Sequence, residues 1–269
     1  MCDSSLSDYP YELFPFGWIG KSDTIMNWML DQLSKARKAH DSNFLIADFA
    51  AGQNEEIPIF FAQFFPTMLE EWIRTNDLNN DLIVGRLPLL TYCLDFHKLR
   101  LSYLFGLLEE EKVLDVSRVV FTKLESMAKE AAFPDFQKDA LPKDIGECIG
   151  IDQFILEKGH IPPACFNLGI LNTDMIGYLF EYYKHQSDLV KCLKGIRETM
   201  ELGGLLIVTQ PCFFYHVDNI GVLGDAGFDF IEGVDVDLIS GETTMLDKDV
   251  DQSTLSQMNH YSFLVFSAN

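Results

Sequence analysis

Residues 43–56 read NFLIADFAAGQNEE, an apolar run followed by small residues and then by two glutamates. The run over 43–49 has the length and composition of a buried β-strand. The small residues AAG predict a tight turn. The glutamates and Pro58 are typical of a first helical turn, where acidic groups favour the helix dipole and proline has no donor to leave unpaired. This stretch therefore predicts a strand, a turn and a helix, the repeating unit of α/β proteins.

The same alternation continues through the rest of the chain. Residues 22–39 predict a helix with Ser22 or Asp23 as its cap, and the helix that begins near Glu55 changes direction at Pro66. Further strands are predicted over 87–96, 116–122, 164–172, 205–211, 227–236 and 260–268. Because the last strand alternates in polarity and closes the chain, we expect it to be antiparallel in an otherwise mostly parallel sheet.

Helices are predicted between these strands. They cover 97–110, 174–202 (one or two helices) and 216–226, and the pair Gly203 and Gly204 is expected to end the helical stretch 174–202. No repeat or low-complexity linker interrupts the pattern, so residues 43–269 form one predicted domain. An N-terminal helical cap segment, 1–42, precedes it.

The middle of the chain is less regular than either end. Residues 124–163 predict a helical insertion or lid, with short helices over 124–132 and 152–158. We expect this insertion and the aromatic-rich N-terminal segment to cover a ligand pocket. Packing of the N-terminal aromatic residues in the ordinary core is an equal alternative.

Composition and charge limit the classes of ligand. The chain has 269 residues, of which 48% are hydrophobic and 23% charged, enough to bury one large core. It carries 20 Lys and Arg against 41 Asp and Glu, a net charge of −21. That field repels phosphate backbones, and the densest basic run is only Lys35, Arg37 and Lys38, so a nucleic-acid substrate is not expected.

The N-terminal sequence and the cysteine spacing indicate the cellular compartment and whether a metal site is expected. The start, MCDSSLSDYPYELF, lacks a basic region followed by an apolar stretch, and no apolar run approaches the ~18 residues of a membrane span. We therefore expect a cytoplasmic protein. The six cysteines are scattered without a C-x-x-C pair, which indicates reduced thiols and predicts no metal site.

The strand–turn–helix at 43–56 resembles motif I of the class I S-adenosylmethionine-dependent methyltransferases, which is an acidic residue followed by Gly-x-Gly-x-Gly. Asp48 is the acidic residue, Ala50 replaces the first glycine, Gly52 matches the second and Asn54 stands at the third. CFNLGILN and IRETMELGGLLIVTQP are similar to the fourth strand, the helix after it and the fifth strand of this family. The resemblance implies a Rossmann-like methyltransferase sheet whose seventh strand lies antiparallel between the fifth and the sixth.

The resemblance also implies a set of cofactor-binding residues for S-adenosylmethionine. Asp48, Ala50 and Gly52 would surround the cofactor through motif I. A carboxylate at the end of the second strand would accept hydrogen bonds from both ribose hydroxyls. Asp95 fits this role best, whereas Asp77 has the more ordinary spacing but follows a predicted helix; both remain candidates.

Two more positions are implied beside the cofactor. Asn167 and Leu168, with the residues on to Leu171, would line its methionine end. Asp139 resembles the acid that meets the adenine amino group, although a solvated loop aspartate is an equal alternative.

The predicted catalytic residues follow the fifth strand. His216 and Tyr215 stand on the rim where this fold receives substrates, and histidine exchanges protons near neutral pH. A structural histidine is the alternative. The family's motif for amino-nucleobase acceptors is missing, since NLGIL stands in its place, and Cys212 follows the wrong strand for a cytosine-5 nucleophile. We therefore expect a small-molecule acceptor with an amine or a hydroxyl.

A second function remains open at this point. Asn54 in place of the third glycine is compatible with a methyltransferase fold that has lost catalysis and serves as a binding or scaffold protein. The stretch 225–251 holds nine acidic residues against Lys248. Such a surface would attract a basic protein partner.

Overall fold

The computed structural model describes residues 16–39, 43–49, 51–78, 85–95, 98–123, 149–152, 155–156, 164–172, 175–177, 185–210, 218–237, 239–249 and 260–269. Ten strands lie in these ranges: β1 Phe44–Phe49, β2 Leu89–Asp95, β3 Ser117–Lys123, β4 Ile149–Asp152, β5 Ile155–Leu156, β6 Phe166–Leu171, β7 Met200–Gln210, β8 Phe228–Asp237, β9 Thr243–Leu246 and β10 His260–Ala268.

The same described ranges contain the α-helices α1 Asp23–Lys38, α2 Glu56–Ile59, α3 Phe65–Thr75, α4 Lys98–Glu110, α5 Gln186–Thr199 and α6 Asn219–Asp225. A 3₁₀ helix, Phe16–Lys21, leads into α1. A π-helical turn, Phe60–Phe64, joins α2 to α3, and Pro66 lies in the first turn of α3, where its missing N–H costs no hydrogen bond. Within the described ranges, no helix is long and apolar enough to cross a lipid bilayer.

The strands form one sheet in the order β5-β4-β3-β2-β1-β6-β7-β10-β8-β9. The strands β3, β2, β1, β6 and β7 pair in parallel. Strand β10 pairs antiparallel with both β7 and β8 and so lies between them. The predicted α/β fold, a mostly parallel sheet with an antiparallel last strand, is confirmed.

Helices cover both faces of this sheet. On one face, α1, α2 and α3 bury Ile25, Ile57 and Phe65 against the sheet, and α4 extends this layer over β2 and β3. On the other face, α5 and α6 bury Leu193 and Val222. Strands β2 and β3 lie on one side of β1, whereas β6 and β7 lie on its other side, so the strand order reverses direction at β1. The point between β1 and β6 is therefore the topological switch point, where open α/β sheets bind ligands.

Three local predictions differ from the structure. Helix α5 ends at Thr199, before Gly203 and Gly204, which lie inside β7. Gly203 has a φ of +76°, and a Cβ on Gly204 would stand 2.8 Å from the Asn167 carbonyl oxygen. The two glycines thus allow strand β7 to be irregular and closely packed, and they do not terminate helix α5.

The other two differences concern short strands. Residues 155–156 form β5, so the helix predicted over 152–158 is wrong there, and β9 forms in an acidic stretch with no predicted element. Both strands pair antiparallel with a neighbour across a short connection, which a search for helical or buried-strand periodicity does not detect. Most of the predicted insertion, 124–163, lies outside the described residues, as does all of the segment 1–15.

The cap of α1 yields a testable prediction. Ser22 is buried, its Oγ accepts a hydrogen bond from the Ile25 N–H at 3.1 Å, and it donates one to the Glu232 carboxylate of β8. We expect Ser22→Ala to lower the free energy of unfolding by about 1 kcal/mol, the usual cost of a lost serine cap. Urea denaturation measures this loss. Ser102→Ala, inside α4, is the control and should leave stability within about 0.5 kcal/mol.

Candidate functional site

The carboxyl ends of β1 and β2 bring two carboxylates together. Asp48 pairs in register with Cys93 and Phe49 with Leu94, so Asp95 lies one residue beyond, at the end of β2. Asp48 is 1% exposed and Asp95 is 5% exposed. Two nearly buried aspartates thus lie at the carboxyl ends of neighbouring strands, next to the switch point beside β1.

The turn after β1 is tied to the end of β2. The Gly52 N–H donates to Asp95 Oδ2 at 2.8 Å, and the Ala51 N–H donates to the Leu94 carbonyl at 3.0 Å. Gly52 has a φ of +61°, which favours glycine over any residue with a Cβ. Both the sequence motif and the structure therefore indicate a turn whose backbone a ligand can approach closely.

Asp48 is the more constrained of the two carboxylates. Its Oδ2 atom is buried and has no hydrogen-bond partner among the residues that the structure describes. Burial raises the pKa of the Asp48 carboxyl well above its usual range, and the charges of Asp95 and Glu56 raise it further. A cation next to this oxygen would supply the missing partner and relieve the repulsion.

Asn54, at the position of the family's third glycine, has a structural role. Its Oδ1 accepts a hydrogen bond from the Glu56 N–H at 2.8 Å and so forms an Asx turn that leads into α2. Burial raises the pKa of Glu56, while a hydrogen bond from the Asn54 amide lowers it. The asparagine therefore orders the start of the helix after motif I.

A cleft of about 540 Å³ lies beside this turn. It runs between the loop after β1 and the exposed side of α4, and Tyr103, which is 62% exposed, forms part of its wall. Its other lining residues are Gln53, Glu55, Ser102, Gly106, Leu107 and Glu110. The motif I loop is thus accessible on the α4 side.

The structure distinguishes between the two candidates for the acid at the end of the second strand. Asp95 ends β2, whereas Asp77 follows α3 with a φ of +53° and is exposed. A left-handed residue just after a helix is a common helix terminus, and aspartate tolerates it better than most residues. The structure thus places Asp95, and not Asp77, beside Gly52.

Asn167 and Leu168 lie away from this site. Asn167 stands at the amino end of β6, where its Oδ1 accepts from the Leu45 N–H at 2.7 Å and its amide donates to Glu201 at 2.7 Å. Leu168 pairs with Ile46, in the first half of β1. Because ligands bind at the carboxyl ends of the strands, the prediction that these two residues line the cofactor is wrong in position.

Asn172 is the polar residue that the sequence reasoning passed over. It follows the carboxyl end of β6, and its Oδ1 accepts a hydrogen bond from the Thr209 hydroxyl of β7. The signal in the sequence was its place as the last letter of ACFNLGILN, one residue after the apolar run.

The remaining predicted site residues, Ala50, Asp139, Tyr215 and His216, lie outside the described residues, as does Cys212. Their roles stay predictions. In the part of the chain that the structure covers, no group of three or more His, Cys, Asp or Glu side chains is arranged to hold a metal ion.

No family model matches the chain, and no curated protein matches it. Solved structures resemble it at low identity. An S-adenosylmethionine-dependent methyltransferase from Clostridium acetobutylicum has 10% identity and a TM-score of 0.45, over 99% of this chain and 95% of that one. The CcbJ methyltransferase from Streptomyces caelestis has 8% identity and a TM-score of 0.44, over 97% and 100%. The cyclase SpnF has 10% identity and a TM-score of 0.47, over 89% and 79%.

The strand order carries the assignment of the fold. Read from β3, the sheet runs β3-β2-β1-β6-β7-β10-β8, and only β10 in this series is antiparallel. The last strand of this series thus lies antiparallel between the fifth and the sixth, β7 and β8, as the resemblance of the sequence implied. The chain therefore has the fold of the class I S-adenosylmethionine-dependent methyltransferases.

Proposed function

We propose that this protein is an S-adenosylmethionine-dependent methyltransferase that acts on a small molecule with a hydroxyl or an amine. The observation that carries the proposal is the pair Asp48 and Asp95, buried beside the Gly52 turn at the switch point of the fold.

These residues fit the cofactor's chemistry. The ribose of the cofactor presents two hydroxyl donors. A carboxylate such as Asp95 can accept a hydrogen bond from each of them while it still accepts the hydrogen bond from the Gly52 N–H. The cofactor also carries an ammonium and a sulfonium, and Asp48 has a buried oxygen that lacks a partner among the residues that the structure describes. Gly52 allows a ligand to approach the backbone closely.

When bound, the cofactor supplies an electrophilic methyl group. The chain's residues contribute by holding and orienting the two reactants, which is the larger part of catalysis for a displacement of this kind. The net charge of −21 disfavours polyanionic acceptors, and this supports a small neutral or cationic acceptor.

Isothermal titration calorimetry with S-adenosylhomocysteine tests the proposal. We expect a Kd in the micromolar range, about −8 kcal/mol. Because the pKa of Asp48 is raised in the free protein, an ammonium placed beside it should release a proton on binding. Titrations in two buffers of different ionisation enthalpy measure that release. An absence of binding at millimolar ligand would reject the enzyme proposal.

The acidic surface supports a second candidate, a scaffold that binds a basic protein. The exposed acids on α6, β8 and the segments beside β9 include Asp225, Asp229, Glu242, Asp247 and Asp249. Asp235 does not belong to this surface, because it is buried. A scaffold would copurify with a basic partner and lose it steeply as salt rises, whereas the enzyme would bind the cofactor alone.

A further inference from the structure

Asn172 and Thr209 form a polar pair at the carboxyl ends of β6 and β7. Leu171 pairs in register with Val208, so Asn172 and Thr209 are the next residues along the two strands. The Thr209 hydroxyl donates a hydrogen bond to Asn172 Oδ1. Thr209 is fully buried, whereas Asn172 is half-buried. A buried hydroxyl thus holds an asparagine that stands at the edge where this fold binds ligands.

Asn172 lies on the same face of the sheet as Asp48. Side chains alternate between the two faces along a strand. Ile46 of β1 and Ile170 of β6 both belong to the core under α1, α2 and α3. Asp48 follows Ile46 by two positions, and Asn172 follows Ile170 by two positions. The aspartate and the asparagine therefore share the face that these helices cover.

The strand registers also bring Asn172 close to the two aspartates of the candidate site. Asp48 pairs with Ile170, and Asn172 lies two residues farther along β6. At the usual strand spacing of about 4.8 Å and rise of about 3.3 Å per residue, the Cα atoms of Asp48 and Asn172 are roughly 8 Å apart. Asp95 lies at the same height on β2, two strands away, which is roughly 10 Å. Asp95, Asp48 and Asn172 thus follow one another along the edge.

The amide of Asn172 has its N–H groups available for a ligand. A carboxamide has one oxygen, which accepts hydrogen bonds, and one NH2 group, which only donates them. The oxygen is used by Thr209, and no residue that the structure describes accepts a hydrogen bond from the NH2 group. A ligand atom bound there must therefore carry a lone pair.

The charges at this edge favour a neutral ligand group beside Asn172. Beyond the effect of burial, the charges of Asp95 and Glu56 raise the pKa of Asp48, so the three carboxyl groups already repel one another. An anionic ligand group would add one more negative charge to this set, whereas a hydroxyl adds none. The NH2 group of Asn172 therefore fits a hydroxyl oxygen better than a carboxylate.

We propose that Asn172 binds the methyl acceptor and that it selects an acceptor hydroxyl over an amine. This inference rests on the proposed function. A hydroxyl oxygen has two lone pairs, so it can accept a hydrogen bond from Asn172 with one pair and attack the methyl carbon with the other. A neutral amine has a single lone pair. The same hydrogen bond would occupy the pair that has to attack.

The reaction at the hydroxyl balances without a further group of the protein. As the oxygen forms its bond to the methyl carbon, the carbon–sulfur bond of the cofactor breaks and its electron pair stays on sulfur. The hydroxyl proton passes to water beside Asn172, which is half-buried and so reaches solvent. Negative charge develops on the oxygen as its proton leaves, and the N–H group of Asn172 stabilises that charge.

Thr209 is the positioning residue for this amide. A half-turn of an asparagine side chain exchanges its oxygen and its NH2 group. The hydrogen bond from the buried Thr209 hydroxyl to Oδ1 selects the orientation that keeps the NH2 group away from Thr209. Strands β7 and β1 lie on opposite sides of β6. This orientation therefore leaves the N–H groups for a ligand on the side of Asp48.

NMR of the side-chain amides tests the proposal without turnover. The full chain, labelled with ¹⁵N and saturated with S-adenosylhomocysteine, is titrated with phenol and separately with aniline, which carries an amine in place of the hydroxyl. We expect millimolar phenol to shift the NH2 resonances that disappear in Asn172→Ala, and aniline to leave them unchanged. The exposed Asn76, whose NH2 group donates to the Trp72 carbonyl, should respond to neither. No response to phenol, or an equal response to aniline, would overturn the proposal.

Turnover with radiolabelled S-adenosylmethionine tests the selection itself. We expect phenol to be methylated faster than aniline, and Asn172→Ala to lower kcat/KM for phenol about 100-fold, the usual effect of losing a donor to a developing negative charge. Asn172→Asp replaces the donor by a group that accepts an amine N–H, so it should reverse the preference to aniline. Asn76→Ala should keep the wild-type rate. An unchanged preference in Asn172→Asp would refute the selection.

The orientation of the amide is tested at Thr209. Thr209→Val should lower the rate with phenol and reduce the preference for phenol over aniline. Thr209→Ser restores the hydroxyl and should recover both. Equal behaviour of the valine and serine variants would show that Thr209 does not position the amide.

Binding of S-adenosylhomocysteine separates this inference from the function on which it rests. Its Kd in Asn172→Ala should stay within about twofold of wild type. A loss as large as the one expected for Asp95→Ala would assign Asn172 to the cofactor and overturn its role toward the acceptor. Failure of the wild type to bind S-adenosylhomocysteine would instead refute the proposed function.

Discussion

Replacing Asp95 by alanine should weaken the binding of S-adenosylhomocysteine by about 1.5–3 kcal/mol, or roughly 10- to 150-fold in Kd, the usual range for a lost hydrogen bond to a charged group. Two causes add. The ribose hydroxyls lose their acceptor, and the Gly52 N–H loses the 2.8 Å hydrogen bond that fixes the turn after β1. Calorimetry measures the change, and circular dichroism checks that the variant is folded.

Asp77 provides the matched control for this result. Asp77→Asn removes the same charge but keeps a residue that tolerates the left-handed backbone at this position. Because Asp77 follows α3 and is exposed, we expect the Kd of this variant to stay within about twofold of wild type, the scatter of a surface change. Equal losses in both variants, or an unaffected Kd in folded Asp95→Ala, would remove Asp95 from the cofactor site.

Asp95 was predictable from the sequence because it ends an apolar run. A buried parallel strand needs apolar side chains on both faces, so a carboxylate at its end marks the point where the chain reaches a ligand or solvent. The turn at Gly52 was predicted in a similar way, from the small residues that follow the apolar run over 43–49. The resemblance to motif I supplied Asp48 and the cofactor-binding role that we propose for these positions.

Asn167 was misplaced for a related reason. A motif tells which run of residues is the fourth strand but not which end of that strand reaches the ligand, and that depends on where pairing begins. In the structure Asn167 precedes the pairing of Leu168 with Ile46, so its amide joins the amino edge of the sheet. Asn172, five residues later, lies at the correct edge.

The contact between His260 and Asp235 was beyond sequence reasoning. These residues lie 25 positions apart on two strands, and their contact depends on the register of β10 between β7 and β8. That register shifts between Val265 and Phe266, and a shift of one residue turns a side chain to the other face of the sheet. The sequence presented Asp235 as one more member of an acidic stretch, whereas the fold buries it.

Asp48 should show a trade-off between stability and binding. In Asp48→Asn the side chain keeps its size but cannot ionise, so the cost of burying a charge beside Asp95 and Glu56 disappears. We expect the ligand-free variant to have a higher free energy of unfolding than the wild type at pH 8. We also expect it to bind S-adenosylhomocysteine roughly 10- to 150-fold more weakly, since the ligand's ammonium loses a charged partner.

The pH dependence follows from the direction of the shift. The folded protein holds the Asp48 proton to a higher pH than the unfolded chain, whose aspartates have a pKa of about 3.9. Between these two pKa values the folded state binds more protons, so the contribution of Asp48 to stability falls as pH rises and stays low above the raised pKa. The advantage of Asp48→Asn should therefore be smallest near pH 4 and largest at pH 8. Urea unfolding of both proteins across this range measures the difference and cancels the titrating groups that do not interact with Asp48. A difference that is constant with pH would show that Asp48 is ionised without cost, and its buried oxygen would then already have a partner other than the cofactor.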